Sequence, residues 1–287
     1  MKALIIGAGG QLGQSLMRTI PSDCSAVAPP EQELDLSSRS HVERAIATVH
    51  PDAVINTAAY TAVDLAETNR EAAFSINADA VGALAEICAT AGVRLIHVST
   101  DYVFDGESSV AYATNAAMNP INVYGASKLV GEKRLSATPQ LRWTLVRTAW
   151  VYAPWGRNFV FTMLKLFRER GGASVVADQI GAPTSALNLA RFIWRAVQTE
   201  KVGVFHYTDA GVASWYDFAV AINEDAQRLG LLTQPARVKP ITTAEYPTPA
   251  KRPRFSLLAT RSSIEAMQFA QPHWREALRE VLKEIKT

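Results

Sequence analysis

Short apolar runs alternate with longer amphipathic stretches over the first half of the chain. The apolar runs lie at residues 3–6, near 27, at 52–57 and at 94–99. Helical patterns lie at residues 14–20, 66–91 and 127–135, and the long one ends at Gly92. Because the short runs lack the alternating polarity of a half-exposed strand, they favour a parallel sheet covered by helices on both faces. The pattern predicts a doubly wound α/β fold.

The pattern changes after the longest β-like run, which covers residues 143–152. Helical patterns then follow at residues 159–170, 186–198, 215–229 and 262–286, separated by loops rich in Pro and Gly. Prolines cluster between residues 235 and 253. We predict a sheet domain over residues 1–150 and a smaller, mostly helical domain over residues 151–287. Some later segments are expected to return to the sheet.

A glycine-rich turn joins the first strand to the first helix, with Gly7, Gly10 and Gly13 spaced as GxxGxxG. Such glycines allow a tight turn and a close approach to a pyrophosphate at the helix N-terminus, where free N–H groups favour anions. The small residues Ala58 and Ala59, at the end of a later strand, would also let backbone approach a cofactor. We predict a dinucleotide site in a Rossmann domain. The alternative is a turn with only a structural role.

The end of the second strand bears on the choice of cofactor. Pro29 and Pro30 stand where NAD-binding folds often place an acid that binds the adenosine ribose. The absence of a repelling carboxylate tolerates a 2′-phosphate, which favours NADPH and leaves NADH open. Asp35 and Leu36 are expected to border the adenine ring, the Asp as acceptor and the Leu as an apolar face.

A Tyr and a Lys four residues apart, Tyr124 and Lys128, lie on the same face of a predicted helix. A phenol has a pKa near ~10, and a neighbouring ammonium favours the phenolate. We expect Lys128 to lower the pKa of Tyr124 and to bind the ribose of a nicotinamide cofactor. Tyr124 would then protonate a ketone oxygen that Thr100, at the end of a parallel strand, holds. Tyr-x-x-x-Lys alone is common, so the prediction depends on the combination.

Composition excludes several other classes. The 287 residues are 48% hydrophobic and carry a formal charge of +2, so no field strong enough for nucleic acid or an anionic membrane is expected. The histidines are scattered, and the two cysteines are expected to be reduced. The first apolar segment is too short for a secretory signal, and no run approaches ~20 apolar residues. A cytoplasmic protein is predicted.

Eight segments together resemble one known family: GxxGQLG, INTAAYTAVDLAE, STDYVF, YGASKLVGE, RTAWVY, NFVFTML, DQIGAPT and SWYDFA. They look like the dTDP-4-dehydrorhamnose reductases, which belong to the extended short-chain dehydrogenase/reductases. The resemblance runs from residue 1 to about 258. It implies reduction of the 4-keto group of dTDP-4-dehydro-L-rhamnose to dTDP-L-rhamnose with NADPH or NADH, for cell-surface polysaccharide such as the O-antigen of lipopolysaccharide. A homodimer is compatible with it.

The resemblance also implies site residues. The catalytic set is Thr100, Tyr124 and Lys128. The cofactor set adds Gly10, Gln11, Leu12, Asp35, Leu36, Ala59, Tyr60, Thr61 and Ser99. For the substrate it implies Thr100, Asp101, Tyr102 and Trp150. Apart from the resemblance, Asn158 and Gln179 are chosen because they lie in polar breaks that flank predicted helices. Arg252 is also chosen on chemical grounds, because it lies with Lys251 and Arg254 beside prolines and a diphosphate needs cations.

Two departures from the family and two alternatives remain. Ala259 stands where the family commonly has an acid, and the first helix has Ser15 where some members carry an acid for Mg²⁺. No metal site is therefore predicted. A dehydratase or epimerase is one alternative, but a dehydratase needs a second acid beside the Thr, and Tyr102 follows Asp101. A non-catalytic regulatory subunit, like that of methionine adenosyltransferase, is the other.

Overall fold

The computed structural model describes residues 1–285, which contain twelve strands and eleven α-helices. The strands are β1 (Lys2–Ile6), β2 (Ser25–Val27), β3 (Ala53–Asn56), β4 (Arg94–Thr100), β5 (Trp143–Thr148), β6 (Val151–Tyr152), β7 (Gly172–Val176), β8 (Ile180–Gly181), β9 (Thr184–Ser185), β10 (Gly203–His206), β11 (Ala213–Ser214) and β12 (Arg237–Ile241). The helices are α1 (Gln11–Arg18), α2 (Arg39–Val49), α3 (Val63–Ala66), α4 (Arg70–Phe74), α5 (Ala80–Ala91), α6 (Val123–Ala137), α7 (Phe159–Arg170), α8 (Ala186–Thr199), α9 (Trp215–Arg228), α10 (Arg261–Met267) and α11 (Trp274–Glu284). A π-helix (Ser75–Asp79) joins α4 to α5.

Six strands form one parallel sheet in the order β2-β1-β3-β4-β5-β10. Strand β1 pairs with β2 on one side and β3 on the other, so that Leu4 lies opposite both Val27 and Val54. The winding of the chain reverses between β1 and β3, and loops that leave such strands diverge and open a crevice at their carboxyl ends. The prediction of a doubly wound parallel sheet is confirmed.

Alternate residues of the strands enter two separate cores. On one face, Leu4 and Val54 pack with residues of α2, α5 and α6. On the other face, Ile5 and Ile55 pack with α1 and α8. The indole of Trp194 on α8 also donates to the carbonyl oxygen of Leu16 at 3.0 Å, which fixes α8 on α1. Thus α8 and β10 both pack with the main sheet, although they follow residue 150.

The C-terminal part of the chain forms a smaller helical layer with an apolar core of its own. Helices α7, α9 and α11 pack together around Phe218, Leu278 and Val160, and strands β7 and β12 pair at its edge. Because this layer has a separate apolar core, it can present a surface of its own to the sheet. A boundary near residue 150 stays a prediction.

The stretch from residue 70 to 91 is the one helix in the described part of the chain that is long and apolar enough to cross a membrane by length and composition. Half of its most apolar window is buried inside the fold. Val81, Leu84 and Cys88 lie in the core beneath the sheet, which accounts for the apolar character of the helix.

Four helical or strand predictions were wrong in detail. Helix α2 was not predicted. The helix predicted over residues 66–91 begins only at Arg70 and contains the π-helix. The run at residues 143–152 is broken because Trp150 adopts a left-handed backbone, with φ of 49°. The helix predicted over residues 262–286 is two helices separated at Gln268, also left-handed, and its last residue, Lys286, lies outside the described residues.

We expect Gly131→Ala to lower the free energy of unfolding by about 1–3 kcal/mol, the usual cost of overpacking. A Cβ at Gly131 would overlap the carbonyl oxygen of Asn77, where α6 meets the π-helix. Gly82→Ala is the matched control, because its nearest neighbour is the movable side chain of Arg134, with Cδ at 3.0 Å. Urea unfolding of both variants measures the difference, and an equal loss in both would contradict this role of Gly131.

Candidate active site

The glycine turn forms a cradle at the N-terminus of α1. Gly7 has φ of +84°, and a Cβ there would lie 2.6 Å from the backbone nitrogen of Ala58. A Cβ at Gly13 would overlap the carbonyl oxygen of Gly7. Gly10 is the residue before α1, and no side chain caps the helix. The first backbone N–H groups of α1 therefore have no side-chain partner. This geometry fits the pyrophosphate of a dinucleotide.

The end of β3 lies beside this cradle, held by two polar side chains. The hydroxyl of Thr57 donates to the carbonyl oxygen of Ile6 at 2.9 Å and so ties β3 to the end of β1. The carboxamide of Asn77, on the π-helix, pairs with both backbone groups of Tyr60, at 2.9 and 3.0 Å. The segment of residues 58–61 is therefore fixed at the glycine turn, where Ala58 lies against Gly7.

The adenine-side expectation fits Asp35 better than Leu36. The Asp35 carboxylate accepts hydrogen bonds from the backbone and hydroxyl of Ser37, at 2.8 and 2.7 Å, and remains partly exposed. Leu36 is only 6% exposed and packs in the core with Leu34. Little of the Leu36 side chain is therefore available to cover a bound ring.

Thr100, Tyr124 and Lys128 come together at the carboxyl end of β4. Helix α6 begins at Val123, and its N-cap Asn122 accepts from the backbone N–H of Gly125 at 2.7 Å. Gly125 allows close contact with the next turn, because a Cβ there would overlap the carbonyl oxygen of Tyr102. Tyr124 therefore enters the site from the first turn of α6, and burial raises its pKa although the nearby Thr100 hydroxyl opposes the shift.

The expectation that the pKa of Tyr124 is lowered was wrong, because the effect of burial dominates. Burial raises the pKa of Tyr124 to about 12. Lys128 is 2% exposed, and its ammonium donates to the carbonyl oxygen of Val98 at 2.8 Å and lies 3.3 Å from His97 Nε2. Its contacts are therefore with β4. Burial lowers the pKa of Lys128 itself to about 8.

Two further residues of the STDYVF segment face the same point. Asp101 is 1% exposed, its Oδ1 accepts from the Thr100 hydroxyl at 3.0 Å, and its Oδ2 has no hydrogen-bond partner of good geometry. Burial raises its pKa to about 6, although hydroxyls of Ser256 and Thr100 oppose the shift. The ring of Tyr102 packs edge-on against Tyr124, with centroids 5.6 Å apart.

A cleft of about 1130 Å³ lies between α7, α9, β7 and β12. Its described lining contains three aromatic side chains, Phe159, Trp215 and Tyr246, and no acidic side chain. It also contains four cations: Arg170, Arg237, Lys239 and Arg252. An apolar wall beside several cations suits a ligand that carries both a flat ring and anionic groups.

Arg252 joins the lining of this cleft to helix α3. Its guanidinium pairs with both carboxylate oxygens of Asp64, at 3.1 and 2.8 Å, and this contact lowers the pKa of Asp64. The residue before Arg252 is held as well, because the side-chain amide of Asn122 donates to the carbonyl oxygen of Lys251 at 2.8 Å. Lys251 and Arg254 do not line the cleft.

The whole chain matches one family. The family described as "RmlD substrate binding domain" matches residues 1–287. The dTDP-4-dehydrorhamnose reductase of Aggregatibacter actinomycetemcomitans is 39% identical, over 98% of each chain. This chain belongs to the dTDP-4-dehydrorhamnose reductase family. The expectation drawn from the eight segments is thus confirmed.

Solved structures of the same family agree in fold. The crystal structure of a dTDP-4-dehydrorhamnose reductase from Clostridium acetobutylicum is 37% identical and has a TM-score of 0.92, with all of both chains covered. The enzyme from Bacillus anthracis, solved in complex with NADP, is 35% identical with a TM-score of 0.92 over 99% of each chain. Among residues 1–285, no group of three or more His, Cys, Asp and Glu side chains could hold a metal ion.

Three residues chosen for the substrate occupy distinct places in this member of the family. Gln179 lines the cleft, and its amide donates to the hydroxyl of Thr243 at 3.1 Å. Asn158 instead lies at the glycine turn, where its amide donates to Gln11 Oε1 at 2.8 Å. Trp150 stacks on Trp215 with centroids 3.6 Å apart, and of these two rings it is Trp215 that lines the cleft.

The sequence reasoning missed several residues that the cleft brings together. Arg237 and Lys239 lie two apart on β12, and that spacing puts both side chains on one face of a strand. The signal was present in the sequence RVKPI, but nothing local indicated that β12 pairs with β7. Trp215 belongs to the SWYDFA segment, which was used only as a family marker.

We expect Asp101→Asn to be more stable than the wild type at pH 8, but not at pH 4. A buried carboxyl whose pKa is raised to about 6 binds its proton more tightly in the folded state. The wild type therefore loses about 2–3 kcal/mol of unfolding free energy as the pH rises from 4 to 6, while the Asn variant does not. Urea unfolding across this range measures the difference between the two, and a constant difference would contradict the shift.

Proposed function

We propose that this chain reduces the 4-keto group of dTDP-4-dehydro-L-rhamnose to give dTDP-L-rhamnose, with NADPH as the reductant and Tyr124 as the proton donor. The observation that carries the proposal is the meeting of Thr100 and Tyr124 at the carboxyl end of β4. This end lies close to the strand-order reversal between β1 and β3, where such sheets bind nucleotides. The names of the relatives support dTDP-4-dehydro-L-rhamnose as the sugar nucleotide.

The residues at the reversal fit a dinucleotide. Gly7 and Gly13 leave room for close backbone approach, and the start of α1 offers uncapped N–H groups. NADPH is favoured over NADH because Pro29 and Pro30 stand where an acid would bind the ribose and because the Bacillus anthracis relative was solved with NADP. When bound, the reduced nicotinamide supplies the hydride.

Thr100 and Tyr124 would act on the ketone oxygen. The two hydroxyls can hold this oxygen together, and Tyr124 can donate its proton to it. A pKa near 12 keeps the phenol protonated at neutral pH, which a proton donor requires. As negative charge develops on the substrate oxygen, that oxygen becomes more basic than the phenolate and proton transfer becomes favourable. The buried positive charge of Lys128, one turn along α6, would favour the phenolate left behind.

The cleft would hold the nucleotide part of the substrate. Its cations suit a diphosphate, and Phe159 and Trp215 suit a flat base. Arg252 lies close enough to Tyr102 for its charge to act on the phenol, and the ring of Tyr102 packs against Tyr124. The anionic part of the substrate would therefore bind next to the reacting ketone. The dehydratase alternative is disfavoured, because the residue after Asp101 is Tyr102 and carries no second carboxyl group.

We expect Tyr124→Phe to lower kcat by about 10²–10⁴-fold, the usual contribution of a positioned acid. The measurement is the loss of reduced-nicotinamide absorbance with dTDP-4-dehydro-L-rhamnose, run with NADPH and with NADH. Tyr152→Phe is the matched control, because the buried Tyr152 hydroxyl has no hydrogen-bond partner and its removal should leave kcat unchanged.

The outcomes separate the alternatives. No oxidation of either cofactor by the wild type, although the dinucleotide binds, would favour the regulatory-subunit alternative. An equal rate for the wild type and Tyr124→Phe would reject Tyr124 as the donor and leave the reductase activity standing.

We expect a double variant, Arg237→Ala with Lys239→Ala, to raise KM for the nucleotide sugar about tenfold or more with little change in kcat. Hydrogen bonds to charged groups contribute about 1.5–3 kcal/mol each when they form, and 1.4 kcal/mol is a factor of ten. Arg261→Ala is the control, because Arg261 lies on α10 with 92% of its side chain exposed. An unchanged KM in the double variant would place the diphosphate elsewhere.

A further inference from the structure

Three buried polar side chains form a line from the sheet to the catalytic lysine. Asn56 on β3 and His97 on β4 are fully buried, and Lys128 on α6 is 2% exposed. Asn56 Nδ2 lies 3.1 Å from His97 Nδ1, and His97 Nε2 lies 3.3 Å from the Lys128 nitrogen. Both nitrogens of the imidazole are therefore occupied by protein groups.

The backbone fixes the orientation of the Asn56 carboxamide. The backbone N–H of Ala58 points at Asn56 Oδ1 at 3.0 Å, and a backbone N–H can only donate. The atom facing it must be the amide oxygen, so the atom that faces His97 is the amide nitrogen, a donor. His97 Nδ1 must then accept, and in a neutral ring the hydrogen is on Nε2.

A doubly protonated ring does not fit this place. Burial, followed by the charge of Lys128, moves the pKa of His97 well below its usual range. A hydrogen on Nδ1 would also face the Asn56 amide hydrogens. His97 is therefore a neutral imidazole with its N–H directed at Lys128.

The Nε2–H group of His97 can donate a hydrogen bond to a neutral amine but not to an ammonium. An ammonium has three donors and no lone pair, whereas a neutral amine can accept. The titratable groups that act on Lys128 are His97 on β4 and Glu132 on α6. Glu132 favours the charged amine, but it is itself paired with Arg147 at 2.7 Å. The Val98 carbonyl can accept from either form of the lysine.

We propose that Asn56 and His97 are positioning residues that hold Lys128 ready to lose its proton, with His97 fixed as the Nε2–H tautomer. The part that concerns activity rests on the proposed function. Lys128 is charged below its lowered pKa of about 8 and neutral above it. Because only the charged form favours the Tyr124 phenolate, kcat/KM for reduction falls as the pH rises through about 8.

The test is the variant Asn56→Asp, which is expected to change the tautomer of His97. A carboxylate still accepts from Ala58 and offers a second acceptor to Nδ1, so the ring hydrogen moves to Nδ1 and Nε2 becomes an acceptor for the ammonium. Nitrogen-15 NMR of histidine-labelled protein reports the tautomer, with the His97 signals assigned by their loss in His97→Gln. The fall of kcat/KM at alkaline pH is its alkaline limb. In Asn56→Asp we expect this limb to shift to a pH at least one unit higher.

Asn223→Asp is the matched control. Asn223 also pairs its carboxamide with backbone, at Ala236 in the helical layer, and its replacement should change neither the His97 signals nor the alkaline limb. Lys128→Arg tests the same coupling without altering Asn56, because a guanidinium stays charged over the whole range. Its residual activity should lack the alkaline limb below pH ~10.

Two results would overturn the proposal. A wild-type His97 with hydrogen on Nδ1, or on both nitrogens near pH 7, removes its basis, and this spectrum needs neither substrate nor a folded variant. An unmoved alkaline limb in both Asn56→Asp and Lys128→Arg removes the link to Lys128. Because the tautomer is read without turnover, a wrong substrate or an inactive protein would leave that part of the proposal measurable.

Discussion

Arg147 on β5 is a buried charge, 2% exposed, and all five of its N–H groups have acceptors. It donates to both carboxylate oxygens of Glu132, to the carbonyl oxygen of Thr114, to His206 and to the sulfur of Met118. A buried charge without such partners would be very costly, so the arrangement permits little change. It joins α6, β5 and β10 to the loop between β4 and α6. Thr100 and Tyr124 stand at the two ends of that loop, and their meeting depends on it.

The site around this pair disfavours charge of either sign. Burial raises the pKa values of Asp101 and Tyr124 and lowers that of Lys128, so each group is moved towards its neutral form. The cleft next to it has the opposite character, with four cations and no acid among its described lining. An anionic ligand is therefore attracted to the cleft, while the reacting end stays close to neutral. The two regions meet at Arg252, whose charge Asp64 balances.

Local patterns were sufficient where the interacting residues are close in sequence. The glycine turn, the ends of β3 and β4 and the Tyr-x-x-x-Lys face of α6 could be predicted because each depends on one turn or one strand. The sequence could not indicate that the ammonium of Lys128 turns to Val98 and His97, since that contact spans about thirty residues. Likewise, Arg237 and Lys239 enter the cleft only because β12 pairs with β7, more than sixty residues away. Helix α2 was missed, although Ser38 caps it and Val42, Ile46 and Val49 recur at helical spacing.

The left-handed backbone at Trp150, between β5 and β6, depends on a side chain that lines the cleft. For a residue with a side chain, this conformation costs about 1–3 kcal/mol unless its surroundings hold it there. Those surroundings are the stack on Trp215 and the space left by Gly181, where a Cβ would lie 2.8 Å from the indole. A smaller side chain in place of Trp215 would therefore also remove the stack that holds the bend at Trp150. Any change to this wall of the cleft is thus also a change to the backbone between β5 and β6.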